Sequence, residues 1–396
     1  MMRRFPTYLI LVLGSALCLV PFVWTVSTAL KTKQQVAQAP MELLPRTPRW
    51  TGPDGKLIPV SVLVKIDAPA AVVELEARPA PPGAPPQPPR ILPVPASAII
   101  GEGAAVKVKL PAAPAPANAR VIERFSDGVA HVRTWPDGPH AQQEKFVPAP
   151  QVSYVVDPQF RNFYPPNPNN LQDRNNAAWT ALPVPFHVFV LNTYTITIIN
   201  IIGQTLSCSL VAYGFARFRF HGRRWLFLLL LSTMMLPGQV TMIPVFLIWN
   251  KVHLVDTFGP LTIPSFFAQN AFFVFLLRQF FLSIPRELDE AAMLDGCGPF
   301  RIWWQILLPL SKPALTTVAV LAFISHWDDF FGPLVYLNSL PNYTVSLALR
   351  LFQDQNGSEF HLLMAAALMH IVPVVLLFFL AQRFFVKGIA MTGLKA

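Results

Sequence analysis

Charge is scarce in this chain. Asp, Glu, Lys and Arg make up 13% of its 396 residues, against roughly 25% in ordinary soluble domains. Cysteine is scarcer still. Cys18, Cys208 and Cys297 are the only three, and none falls between positions 31 and 180, so that stretch has no disulfide staple. No G-x-x-x-x-G-K-[ST] phosphate loop occurs: Gly55-Lys56 is followed by Leu57 and lacks the upstream glycine. The eight histidines are scattered, with His131 and His140 upstream, His221 in a basic stretch, and His326 and His370 in apolar runs. There is no His/Cys cluster at metal-ligand spacing and no serine-centred elbow. The expectation is a chain that is not an enzyme by itself and has no catalytic residues, no metal and no cofactor of its own.

What the chain has is apolar length. Apolar residues fill 53% of positions, and Phe alone contributes 31. Six runs reach or approach the ~20 residues a helix needs to span hydrocarbon: about Tyr8–Leu30, Val188–Ala212, Trp225–Trp249, Leu261–Phe281, Pro313–Tyr336 and Leu362–Ala381. A large soluble helical bundle does not need six such runs. Pro21, Pro237 and Pro373 inside them are tolerable where neighbouring helices re-satisfy the backbone. Lys and Arg set the orientation. Arg3, Arg4, Arg217, Arg219, Arg223, Arg224, Arg286, Arg301, Lys312, Arg383, Lys387 and Lys395 fall on one side, which makes both termini cytoplasmic. The short outer loops hold only Lys251 and Arg350, while Lys31 and Lys33 dissent from within a long outer segment. The net charge of +10 is thus mostly a topology signal, and no basic run interleaved with aromatics suggests nucleic acid. The first run follows Arg3-Arg4 but is too long for a signal-peptide core and has no small-residue cleavage site. It reads as an uncleaved anchor.

Residues 31–180 are different material, with 26 of the 41 prolines and more than half of the acidic residues. Pro40–Trp50 and Pro158–Trp179 read as extended linkers, and Pro79–Pro95 as a polyproline-like excursion. Between them lie runs of period two: Val60–Ile66, Ala71–Ala77, Val106–Leu110, Val121–Phe125, Val129–Trp135 and Val152–Val156. Such alternation reads as strands, and Ser126-Asp127-Gly128 as a hairpin turn. The expectation is a small β-rich domain outside the membrane, with a disordered spacer as the alternative.

Residues 283–312 break the apolar pattern between the fourth and fifth runs. They read as two short amphipathic helices. Ser283 can cap the first, Pro285 suits its first turn, and Glu287, Asp289 and Glu290 favour its positive N-terminal end. Ala291 and Ala292 offer a face without bulk. Gly296 stands where a helix ends in the left-handed conformation, and Pro299 can start the second helix. Phe300, Ile302, Trp303 and Ile306 give that helix its apolar surface. A helix lying on lipid headgroups would account for Trp303 and Trp304 but not for the acidic Ala-Ala-Gly turn.

The pattern Glu290-Ala291-Ala292, three residues, Gly296, nine residues, Ile306, one residue, Leu308-Pro309 resembles the cytoplasmic "EAA" loop of ABC-importer permease subunits. Other segments resemble the sugar branch, in particular the second permease of maltose-type systems. These are Pro21-Phe22-Val23-Trp24 with Ser27 and Lys31, Asn192-Thr193, and Ala212-Tyr213-Gly214-Phe215-Ala216-Arg217. Further ones are Trp327-Asp328-Asp329-Phe330, Gly332-Pro333-Leu334, Gln382-Arg383, Gly388-Ile389-Ala390 and Thr392-Gly393-Leu394-Lys395. The resemblance covers Arg3–Lys33 and about Phe186–Ala396 and says nothing of the segment between. It implies an all-α membrane protein with six transmembrane helices. The parts are a first helix at 1–30, a β-rich extracytoplasmic insert at 31–180 between helices 1 and 2, and a five-helix permease core at 181–396.

The implied partners are a second permease subunit, a cytoplasmic ABC ATPase dimer that carries the ATP and Mg, an extracytoplasmic solute-binding protein, a sugar and the lipid bilayer. The implied location is the bacterial inner membrane. ATPase coupling would fall to Glu290, Ala291, Ala292, Asp295, Gly296, Ile306, Leu308 and Pro309, with Thr392–Lys395 as weaker contacts. Asp328, Asp329, Trp327 and Asn192 are candidates for the translocation path, the alternative for the two aspartates being a solvated or capping pair. A permease for a non-sugar solute is the nearest alternative function. A secondary transporter or channel would need intramembrane charges, and an outer-domain receptor would not need six spans.

Overall fold

The computed structural model describes residues 5–38, 41–75, 90–101, 105–110, 117–134, 143–167, 169–170, 173, 175–354 and 359–392. Of the segments named above, Arg3, Arg4, Pro40, residues 76–77 and 79–89, Trp135, His140, residues 168, 171–172 and 174, and Gly393–Lys395 lie outside them. The chain divides into two units, Met1–Gln159 and Phe160–Ala396.

The first unit opens with helix α1 (Phe5–Ala29) and a short α2 (Lys33–Gln38). Among the described residues ten strands follow: β1 (Arg46–Thr51), β2 (Leu57–Ile66), β3 (Ala70–Leu75), β4 (Arg90–Pro95), β5 (Ile99–Ile100), β6 (Ala105–Val108), β7 (Ala117–Phe125), β8 (Val129–Thr134), β9 (Gln143–Pro148) and β10 (Val152–Val156). They form two antiparallel five-stranded sheets, ordered β10-β1-β2-β8-β9 and β4-β3-β7-β6-β5. Period-two alternation builds the cores. On β3, Ala71 and Val73 enter one cluster with Val94, Val106, Val108 and Ala119. Ala70 and Val72 enter another with Val129. A third gathers Trp50, Val60, Val62, Ala130, Val132, Val147 and Val152.

Three expectations for this unit change. Pro40–Trp50 is not all linker, because its end is β1, paired with both β10 and β2. The end of the proline-rich stretch is β4, paired with β3 from Ala70↔Pro95 to Leu75↔Arg90. It is an edge strand, where a missing N–H is harmless. Ser126-Asp127-Gly128 does not close a hairpin. β7 pairs with β3 and β6, and β8 with β2 and β9, so the turn hands the chain from one sheet to the other. Gly128 is required there: its φ is +91°, and a Cβ would run into the Ile66 carbonyl.

The second unit is helical: α3 (Phe186–Arg217), α4 (Arg223–Ser232), α5 (Gly238–Lys251), α6 (Gly259–Thr262), α7 (Ala271–Ser283), α8 (Glu287–Leu294), α9 (Pro299–Leu310), α10 (Lys312–Trp327), α11 (Phe331–Tyr336), α12 (Val345–Asp354) and α13 (Phe360–Thr392). Among the described residues, Phe186–Arg217, Gly259–Ser283 and Phe360–Gln382 are each long and apolar enough to cross a membrane. Two bent pairs bring the number to five if each is one span: α4 with α5, turned by 99°, and α9 with α10, turned by 82°. The run Trp225–Trp249 is thus broken at Leu236-Pro237, because Pro237 has no N–H to continue the first helix. The run Pro313–Tyr336 is interrupted after Trp327. There Asp329 Oδ1 accepts from the Gly332 N–H at 3.1 Å and starts α11.

α3 carries a buried polar stripe, Thr193, Thr197, Asn200 and Gln204. Part of its purpose is visible between α6 and α7, where the backbone is not α-helical and Ala268 is left-handed. Polar side chains from α3 satisfy that stretch. Ser207 Oγ donates to the Ser265 carbonyl at 2.8 Å and accepts from Ala268 N–H at 3.1 Å. Ser265 Oγ bonds Asn200 Oδ1. Gly203 permits the approach, since a Cβ there would stand 3.1 Å from the Phe266 ring.

Candidate functional site

The polar segment after α7 folds as two short helices. Three acidic residues in the first turn of α8 suit its positive end. Ser283 does not cap it. It is the last residue of α7 and donates to Phe280 O at 2.7 Å, while Arg286 takes the cap position. α8 ends in a Schellman motif: Gly296 N–H donates to Met293 O at 3.0 Å and Cys297 N–H to Ala292 O at 2.9 Å. That motif places Gly296 at φ +79°. Pro299 opens α9. A π-helical turn, Trp303–Leu307, precedes Pro309. Pro309 cannot donate backward and crowds the carbonyl four residues earlier, which the wider turn relieves.

The base of this helix pair is clamped. Arg217, the last residue of α3, sets Nε 2.7 Å from Asp289 Oδ2, with side chains only 6% and 7% exposed. Arg217 also donates to Ile284 O at 3.1 Å, Arg286 to Ala216 O at 3.4 Å, and the Tyr213 hydroxyl to Pro299 O at 3.1 Å. Burial pushes the Asp289 carboxyl above its ordinary value, and Arg217 pulls the other way. Ala292, Ile302, Trp303 and Leu307 enter one core cluster with Phe273, Leu277 and Phe281, and Ile306 and Leu308 pack against it.

The apex is the opposite. Leu294 is 90% exposed, Phe300 65% and Met293 57%, around the Gly296 turn. Glu290, Ala291, Asp295 and Pro309 are exposed as well. Ala291 and Ala292 therefore do not form one face: Ala292 lets α8 approach the core and Ala291 faces out. Met293, Leu294 and Phe300 thus form an exposed apolar patch around a turn that carries one charge, Asp295.

The remaining candidates lie elsewhere in the unit. Asn192, near the start of α3, spends its amide on Pro341 O at 2.7 Å and Tyr343 O at 3.0 Å. Trp327 is 1% exposed. It stacks on Phe323 and His370 and donates to His370 O at 3.0 Å. Asp328 is exposed and sits 3.0 Å from His370 Nε2. Asp329 caps α11. So Trp327 and Asp328 meet at His370, while Asn192 and Asp329 hold backbone.

At this same end Asp256 ties two loops. Its N–H donates to Tyr336 O at 2.7 Å, and its Oδ1 accepts from Asn338 and Ser339 N–H at 2.9 Å each. Ser339 Oγ donates to Oδ2, and Asn342 donates to its carbonyl at 2.8 Å. The Ser339 hydroxyl first, then the Ser339 and Asn338 amides, hold this carboxyl down at about 2. Sequence reasoning missed the roles of Arg217, Asp256 and His370. Arg217 was visible as a charge at a span end, but nothing local names its partner 72 positions on.

The family model "Binding-protein-dependent transport system inner membrane component" matches residues 205–391, the part that contains the clamp and the apex. The arabinooligosaccharides transport system permease protein AraQ of Halalkalibacterium halodurans is 36% identical over 52% of this chain and 72% of its own length. The sn-glycerol-3-phosphate transport system permease protein UgpE of Brucella abortus is 34% identical over 51% of this chain and 71% of its own. Among solved structures, a bacterial ABC transporter involved in the import of the acidic polysaccharide alginate is 29% identical, with a TM-score of 0.46, over 50% of this chain and 75% of that one. The chain belongs to the family of inner-membrane permease components of binding-protein-dependent transport systems.

Proposed function

We propose that this permease subunit imports sugars or oligosaccharides, and that its α8–α9 apex is the socket for a separate cytoplasmic ATPase. The observation that carries the reading is the contrast within the loop, an apolar apex built on a buried, ion-paired base. A load on the apex reaches the end of α3 through Asp289–Arg217 and reaches α10 through α9. This is rigid-body coupling through packed contacts. In this reading the protein has six spans: α1, α3, α4 with α5, α6 with α7, α10 and α13. Both termini are cytoplasmic, and the β unit lies outside the membrane between the first two spans.

Glu290 and Asp295 supply charged contacts, Ala291 the close approach, and Gly296 the angle between helices. Ile306, Leu308 and Pro309 hold α9 in place. ATP and Mg stay on the ATPase, a second permease completes the pore, and a solute-binding protein delivers the cargo. The relatives named above are permeases for an oligosaccharide and for a phosphorylated polyol, so a non-sugar solute is the reading to exclude by uptake assays. Gly296→Asp tests the socket. It leaves membrane insertion intact and is expected to abolish ATP-coupled uptake, because its side chain sits in the middle of the apex. Uptake at the unaltered rate contradicts the socket.

A further inference from the structure

The first unit holds an exposed apolar loop in an unusual place. Met41 is 83% exposed, Leu43 54% and Leu44 51%. The loop is fixed to the end of α1. Ser27 Oγ donates to Leu43 O at 2.5 Å, and Gln35 Nε2 donates to Leu44 O at 2.8 Å. Gln35 Oε1 in turn accepts from Arg46 N–H at 3.0 Å.

Depth follows from helix geometry. From Phe5 to Trp24 is about 29 Å at 1.5 Å per residue, close to the ~30 Å of bilayer hydrocarbon. Burial along α1 changes at the same level. Leu17, Leu19, Val20, Phe22 and Val23 are 46–74% exposed, as side chains facing lipid would be, whereas Ser27, Thr28 and Ala29 are at most 6% exposed. Burial along α1 therefore starts where the hydrocarbon ends. Lys31 Nζ lies 5.1 Å over the Trp24 ring and is itself fully buried, so it closes the end of α1 rather than reaching for headgroups. One turn beyond Trp24, Ser27 holds the Leu43 backbone, which with α1 as a span falls at the level of the headgroups.

We propose that Met41, Leu43 and Leu44 insert into the lipid headgroup–acyl boundary and seat the β unit on the outer surface of the bilayer. The seat is short and apolar, and it is carried on backbone hydrogen bonds rather than on a charged patch, so zwitterionic lipid suffices. It makes the β unit a fixed platform at a set height above the membrane. The inference rests on α1 being a span.

The test uses the full-length protein in phosphatidylcholine nanodiscs, with Cys18, Cys208 and Cys297 replaced by alanine. An environment-sensitive fluorophore is placed at Met41→Cys, at Leu17→Cys in α1, or at Ile122→Cys, an exposed apolar position on β7. Lipids carry a nitroxide either high or low on the acyl chain. The expected result is blue-shifted emission at position 41, quenched most by the shallow nitroxide. Position 17 is quenched most by the deep one, and position 122 by neither. A probe at 41 that behaves like the one at 122, with 17 still quenched, overturns the seat, whether water or another protein covers the loop. Loss of quenching at 17 as well overturns the span on which the proposal rests.

Discussion

Two aspartates tie together opposite ends of the helical unit by opposite means. Asp289 is buried, faces one guanidinium, and has its carboxyl pushed upward by lost hydration. Asp256 lies near solvent, collects hydrogen bonds from three neighbours, and has its carboxyl held down at about 2. The first is a pair whose charges were costly to bury, and it holds only while both partners are present. The second is a mesh of donors around one carboxylate, in which each bond adds a modest amount. The first design suits the force-transmitting clamp proposed above, and the second a loop knot.

The largest test of this contrast is to break the clamp. Arg217→Ala or Asp289→Ala leaves a buried charge alone and is expected to cost about 3–5 kcal/mol, read as lost hydrogen-exchange protection across α8 and α9. Arg217→Met with Asp289→Leu together is expected to cost less than either single change. A double variant that costs the sum of the two would show that the residues do not act as a pair. Asp256→Ala is expected to cost less, about 1–2 kcal/mol, with the loss of protection confined to residues 336–343.

Acid separates the two ends by sign. The Asp256 carboxyl lies below its ordinary 3.8, so its contribution is complete above that pH and drains away as the pH falls toward about 2. The Asp289 carboxyl lies above its ordinary value. Protonation therefore favours the fold there, and that advantage fades as the pH rises through the raised value. Acidification is expected to lower protection factors at 336–343 while sparing 287–297, and a parallel loss at both would contradict the contrast.

Local chemistry made much of this legible in advance. Gly296 and Pro299 mark the joint of the helix pair because each imposes a backbone conformation on its own. Alternation found β2, β3, β6, β7, β8 and β10, since period two needs no knowledge of partners. What escaped depends on something distant. β1 and β4 hide behind prolines that pairing partners tolerate. Ser283 caps nothing, because α7 runs through it and its hydroxyl turns back to Phe280. Ser126-Asp127-Gly128 has the chemistry of a hairpin, yet each flanking strand finds other neighbours. Arg217 and Asp289 meet only once α3 and α8 are packed.

The most direct measurement places a photo-crosslinker at Leu294, the most exposed apolar side chain of the apex at 90%, in the transporter co-expressed with its ATPase. The expected result is a crosslink from Leu294 to the ATPase, strengthened or weakened by nucleotide, and none from a matched probe at Asn338 beside the Asp256 knot. A Leu294 probe that labels only lipid, or an Asn338 probe that captures the ATPase instead, would contradict it.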